Sequence, residues 1–234
     1  MKENHQQMTI IELKKPEIIS FNTENGLNCK ISHQLYVEKK LGIKLPVRFS
    51  LFMNLTEKNE DGKLILPFDG SKIYGKQSVS QMNEISKIVG RCSQIAERLF
   101  DKLKSVNDSL KSNSELTSIF EKYDNEDKKY VKLDFMTHRQ LLSDIIKSKK
   151  VDRINNVSSE YDIKSVRCAM NDFILERNKY THGELLYWYP ERKTLLEYRN
   201  SKGEIEYAEL NKDVLNSYSE CYVSLDKYLD KITE

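Results

Sequence analysis

From Ile85 to Leu110 an apolar residue recurs at nearly every third or fourth position: Ile85, Ile88, Val89, Cys92, Ile95, Ala96, Leu99, Phe100, Leu103, Val106 and Leu110. The α-helix repeats about every 3.6 residues, so this spacing predicts one amphipathic helix of roughly eight turns. Ser78 and Gln81 read as its capping box. One stripe of this length commits the larger part of the chain to a helical bundle.

The rest of the sequence extends that reading. Shorter helices are expected at about 114–124 and 136–148, with Asn125-Glu126-Asp127-Lys128-Lys129 as a charged connector. Lys147, Lys149, Lys150 and Arg153 form a basic spot that reads first as a solvated helix end. A second strong helix runs from about Glu160 to His182, with Ser159 and Asp162 as a capping box and Ile163, Val166, Met170, Phe173 and Ile174 as the buried face. Gly183 is placed to end it in a left-handed cap. Three extended stretches follow, Leu185 to Tyr189, Thr194 to Tyr198 and Ile205 to Leu210, separated by Pro190-Glu191-Arg192-Lys193 and Asn200-Ser201-Lys202-Gly203. They predict a small antiparallel meander. A last helix starts near Asn211, with Val214, Leu215, Tyr218, Cys221, Tyr222, Leu225, Tyr228, Leu229 and Ile232 on its apolar face.

Residues 1–77 read differently. They hold all but one of the prolines, strand-like stretches at Met8-Thr9-Ile10-Ile11 and Val47-Arg48-Phe49-Ser50-Leu51-Phe52, and a hairpin turn at Glu60-Asp61-Gly62-Lys63 leading into Leu64-Ile65-Leu66. The expected organisation is a small mixed α/β N-terminal region over 1–77, of no assignable function, and a helical domain over 78–234. The fold class is mainly α, with the meander inserted before the last helix.

Composition excludes several classes. The 38% hydrophobic residues suffice for a core, while 32% charged residues make the chain soluble; mean hydropathy is −0.65. No window approaches the ~18 apolar residues of a membrane span, and the polar opening stretch, MKENHQQ, does not lead into a signal-peptide core. A cytoplasmic protein without membrane association is the expectation. Cys29, Cys92, Cys168 and Cys221 are scattered, with no C-x-x-C pair and no clustered histidine. They are read as reduced, mostly buried thiols, with no metal and no cofactor expected. A net charge of +2 neither requires nor excludes nucleic acid. No glycine-rich phosphate loop, H-E-x-x-H or serine elbow is present.

The one stretch with chemical content is Arg177-Asn178-Lys179-Tyr180-Thr181-His182, at the end of the second strong helix. Arg177 continues the apolar stripe one turn beyond Phe173 and Ile174, where a guanidinium needs an anion or another partner. The stretch resembles the R-x(4–6)-H signature of HEPN domains, including the polar residue after the arginine. The similarity extends to the layout over roughly 78–234: a long helix, a motif-bearing helix, an interruption and a final helix.

That resemblance implies a helical domain that pairs into a homodimer with motif helices facing each other. It implies a metal-independent RNA endonuclease, a toxin or antiviral defence effector, with Arg177 and His182 as the catalytic pair and Asn178 as the supporting polar residue. It equally admits an inactive module that binds an antitoxin or nucleotidyltransferase partner. In some members a tyrosine two positions after the histidine is modified by the partner; Glu184 stands there in this chain. RNA carries its own nucleophile, the 2′-OH. An imidazole can move the proton and a guanidinium can grip the scissile phosphate, leaving 2′,3′-cyclic phosphate and 5′-OH ends.

On a regular helix residues five apart diverge by about 140°. One chain therefore presents Arg177 and His182 on a common face only if the helix end unwinds at Gly183, and a two-fold dimer offers the other solution. The plainer reading pairs Arg177 with an acid such as Asp172 or Glu176 and leaves His182 at a helix end, where the dipole favours it. It makes the motif a coincidence in a helical interaction protein. Asp172, Glu176 and Glu184 read as solvated charges, His138 as a plain helix residue and Arg139 as a weak phosphate-binding candidate. Tyr187, Trp188 and Tyr189 read as packing rather than base stacking.

Overall fold

A computed structural model describes residues 10–19, 47–48, 57–58, 64–65, 70–125, 129–188 and 193–233. Among them are six helices: α1 (Gly70–Lys111), α2 (Thr117–Phe120), α3 (Phe135–Ser148), α4 (Asp152–Glu160), α5 (Ile163–His182) and α6 (Lys212–Thr233). Seven strands accompany them: β1 (Ile18–Ile19), β2 (Val47–Arg48), β3 (Glu57–Lys58), β4 (Leu64–Ile65), β5 (Glu184–Trp188), β6 (Lys193–Arg199) and β7 (Ile205–Glu209). The fold is mainly helical, with a small antiparallel sheet before the last helix, as the sequence predicts. The chain gathers into two compact units, one of Met1–Lys14, Cys92–Arg177 and Asn216–Glu234, the other of Lys15–Arg91 and Asn178–Leu215.

The first unit is helical and aromatic at its centre. Cys92, Ala96, Leu99, Leu103, Val106 and Leu110 of the α1 stripe are buried, as are Leu225, Tyr228, Leu229 and Ile232 of α6. Phe173 of α5 stacks on Tyr218 of α6 with ring centroids 4.1 Å apart and planes 9° from parallel. The Tyr218 hydroxyl donates to the Phe173 carbonyl at 3.3 Å, which answers the polar end of an otherwise apolar ring. Lys102 of α1 reaches both Asp226 and Asp230 of α6 at 2.7 Å, tying the rims of these helices.

Several expectations need correction. α1 begins at Gly70, so Ser78 and Gln81 lie inside the helix; Gln81 instead donates to Thr194. The segment expected at 114–124 is a 3₁₀ turn over Ser114–Leu116, capped by Asn113, and then only the single turn of α2. The helix expected from about Glu160 begins at Ile163, after Tyr161, which is extended and buried edge-on against Tyr228, 5.1 Å between centroids; α4, which precedes it, was not predicted. Asp162 caps α5, accepting from the Lys164 amide at 3.1 Å and the Ser165 hydroxyl at 2.5 Å. Ser159 does not take part in that cap; its hydroxyl donates to the Asn156 carbonyl in α4. The serine hydrogen bond holds the Asp162 carboxyl below its usual range. The basic spot is put to structural use: Lys150 donates to the Glu115 carbonyl, Arg153 to that of Thr233, and Lys149 closes α3 with φ of 55°. Cys92 and Cys221 are buried and burial pushes each thiol up to about 12, but Cys168 is exposed. Cys29 lies outside the described residues.

His138 is more than a plain helix residue. It is 3% exposed and packs edge-on to Phe100 and Tyr130. The Asn107 amide nitrogen donates to the His138 carbonyl at 3.0 Å and lies 3.1 Å from Nδ1, so Nδ1 is the acceptor. Burial first, then the charge of Lys104, holds the imidazole below its usual 6.5, against the opposing pull of Asp108 and Asp134. The unfolded chain binds this proton before the folded one does, so stability from this group is complete above pH 6.5 and is lost as pH falls below it. Urea midpoints measured from pH 7.5 down to about 5 should therefore decline, and the decline should be shallower in His138→Gln; an unchanged slope would remove His138 from the account.

The second unit holds the sheet. Its order is β1-β7-β6-β5-β2 and all pairings are antiparallel. β5, β6 and β7 are the expected meander, in register from Glu184 opposite Glu197 through Arg199 opposite Ile205. The β6–β7 turn is built by Asn200, whose Oδ1 accepts from the amides of Lys202 and Glu204, with Gly203 at φ 82°. Two strands from the upstream region extend the meander. Ile18–Ile19 pairs with β7, where the sequence showed no strand, and Val47–Arg48 with β5, where it did. Ile10–Ile11 is not a strand, while Leu64–Ile65 pairs antiparallel with Glu57–Lys58. Residues 8–9, 49–52, 60–63 and 66 lie outside the described residues, as do 126–128 of the charged connector. The N-terminal half of α1 belongs to the same unit: Met82 and Ile85 are buried, and Glu84 pairs with Lys212 at 2.7 Å. Among the described residues no helix is long and apolar enough to cross a membrane.

Candidate functional site

The end of α5 is where the candidate residues sit. Val166, Met170, Phe173 and Ile174 are buried as the apolar stripe requires, whereas Ile163 is only half-buried. Asp162 at the N-terminal end and Lys179 and His182 in the last turn complement the helix dipole at both ends.

Arg177 is half-buried, with its side chain 24% exposed, and its Nη2 donates to Glu97 Oε1 of α1 in a close ion pair. The sequence pointed to Asp172 or Glu176 as its acid. Glu97 was not singled out, since an exposed glutamate on a long helix carries no signal of a partner eighty positions away. Glu176, read as a solvated charge, is 2% exposed. Asp172 and Glu184 are half-buried.

Asn178, Thr181 and His182 are exposed, while Tyr180 is buried. The Lys179 ammonium lies 4.8 Å from the centroid of the Tyr198 ring on β6. Regular helix continues through His182. The helix end does not unwind, so the divergence of about 140° between positions 177 and 182 stands. On that helix His182 falls at heptad spacing from Cys168 and Leu175, all three exposed, whereas Arg177 is turned the other way toward Glu97.

Gly183 is required, but not as a left-handed cap: among the described glycines only Gly203 has positive φ. Its amide donates to the Lys179 carbonyl at 2.7 Å as the chain passes directly into β5. A Cβ there would stand 2.5 Å from the Lys179 oxygen, 2.7 Å from Leu196 Cδ1 and 2.9 Å from the Glu197 oxygen. Two of these are backbone atoms that cannot rotate away. Gly183→Ala is expected to cost about 1–3 kcal/mol through overpacking, read as a lowered urea midpoint with unchanged m-value; an unaltered midpoint would show that the helix-to-strand junction yields freely.

Tyr187 is buried in β5, as packing predicts; Tyr189 lies outside the described residues. No group of three or more His, Cys, Asp or Glu side chains among the described residues is arranged to hold a metal ion. Compared with protein-family models, curated proteins and solved structures, the chain matches none.

Proposed function

We propose that the chain is a HEPN-type RNA endonuclease acting as a homodimer, a toxin or antiviral defence effector. The observation that carries the reading is the pairing of types at the end of α5: a half-buried arginine ion-paired with an exposed carboxylate, and a solvent-accessible imidazole five residues on. Glu97 is 53% exposed, so an RNA phosphate can replace it on the guanidinium.

In the reaction one imidazole takes the 2′-OH proton as that oxygen attacks phosphorus. The P–O5′ bond breaks, a second imidazole returns a proton to O5′, and Arg177 neutralises the charge gained by the phosphoryl oxygens. Asn178, exposed beside them, orients the phosphate. The opposed directions of Arg177 and His182 on α5 make this a reaction for two protomers, His182 of one working with Arg177 of its partner. The exposed Leu175, on the same face as His182, supplies apolar surface for that pairing.

The alternative, an inactive module that binds a protein partner such as an antitoxin or nucleotidyltransferase, is favoured by the Arg177–Glu97 pair, which also serves as a purely structural tie. Incubation of purified protein with total RNA in EDTA, followed by end-group analysis, separates the two. The enzyme yields cyclic phosphate and 5′-OH ends, and inertness against varied RNAs favours the binding module. Analytical ultracentrifugation showing an active monomer would overturn the composite site.

A further inference from the structure

The second unit holds a cavity of about 240 Å³ where β6 begins and β7 runs out toward α6. Its charged lining is Glu84 of α1, Lys193 of β6, Glu209 of β7 and Lys212 of α6. These four side chains form two ion pairs, Lys193–Glu209 at 2.9 Å and Lys212–Glu84 at 2.7 Å. Gln81 and Thr194 add neutral polar wall, the Gln81 amide donating to the Thr194 hydroxyl at 3.3 Å. Among the described residues lining the cavity, none is aromatic.

This lining excludes several ligands. Each lysine is matched by a carboxylate, so a lone anion such as phosphate would leave uncompensated negative charge, and a lone cation the reverse. Without an aromatic ring, the stacking that holds an unpaired base is missing. The volume lies below the roughly 300–1,000 Å³ of pockets for drug-sized ligands, so the occupant is small. A small zwitterion meets all three conditions. Its ammonium joins a carboxylate, its carboxylate joins a lysine, and the charges still sum to zero.

We propose that this cavity binds a free α-amino acid with an uncharged polar side chain, through charge-assisted hydrogen bonds to Glu209 and Lys193. Of the two pairs this is the more sheltered, the Glu209 side chain being 22% exposed against 52% for Glu84. Water screens it less, so an added pair of charges gains more there. Gln81 and Thr194 serve the ligand's side chain, exchanging their long mutual hydrogen bond for bonds to it. Binding here does not depend on cleavage at Arg177 and His182.

Equilibrium dialysis of the full chain is run with radiolabelled L-serine, L-asparagine and L-glutamine. Saturable binding is expected for at least one of them. The N-acetyl and the carboxamide forms of that amino acid, competed against the labelled parent, should each bind about tenfold more weakly, because each lacks one charge-assisted contact. Glu209→Gln and Lys193→Gln should weaken binding by a similar factor of about ten. Each change keeps the side chain's polarity and removes half of a partly exposed pair, so the variants fold. The blocked amino acids test the charge requirement on the wild-type chain itself. No saturable binding of any of the three, equal binding of either blocked form, or full binding by either glutamine variant would overturn the proposal.

Discussion

His182→Ala is expected to lower RNA cleavage by about two to four orders of magnitude, the share a positioned general acid–base contributes. The residue is exposed, so stability should stay within about 0.5 kcal/mol of wild type. Arg177→Ala is expected to cost about 10²–10³-fold, as for loss of a group that binds the developing phosphoryl charge. Arg177 also carries the Glu97 ion pair, and Glu97→Gln separates the roles. If the pair were only a tie, both variants would lose the same small stability, up to about 1 kcal/mol, and cleavage would follow neither. In the enzyme, Glu97→Gln retains cleavage and Arg177→Ala does not.

The second large effect concerns the scaffold. Phe173 is 0% exposed and its ring lies flat on Tyr218, itself 0% exposed. Phe173→Ala is expected to destabilise by about 3–5 kcal/mol, combining lost transfer energy with the cavity left between α5 and α6. Phe173→Leu retains most of the volume and should cost less, about 1–2 kcal/mol. Chemical denaturation reads both, and equal losses would mean that the stacked geometry rather than the filled volume dominates.

Periodic features of the fold were legible in the sequence because each is decided locally. The α1 and α6 stripes, the buried face of α5, the meander and the start of α6 near Asn211 follow from spacing and side-chain chemistry; that Asn211 caps α6, accepting from the Val214 amide at 3.0 Å, is added by the structure. α5 was placed within a few residues of its observed start, but α4 was not legible, because among its nine residues only Ile154 and Val157 are buried apolar side chains, too few for a stripe. β1 was missed for a similar reason: two isoleucines do not make an alternating pattern, and their partner strand lies at the other end of the chain. At the candidate site the types and positions of Arg177, Asn178 and His182 could be read. Glu97 and the burial of Glu176 could not, since both depend on what is brought alongside α5. The need for glycine at 183 was read correctly but for the wrong cause, a left-handed turn in place of close backbone contact.

The interleaving of the two units bears on how the chain is born. Ile18 finds its ladder partner at Ala208 and Val47 at Tyr187, so both outer strands are synthesised long before the strands they join. At about 5–20 residues per second, β1 waits some 10–40 s on the ribosome for its neighbour to be made. Neither unit closes until its late segment, 178–215 or 216–234, has emerged. From the completion of α1 at Lys111 until α6 emerges, part of α1's apolar stripe therefore waits uncovered, and native structure arrives only with the last helix.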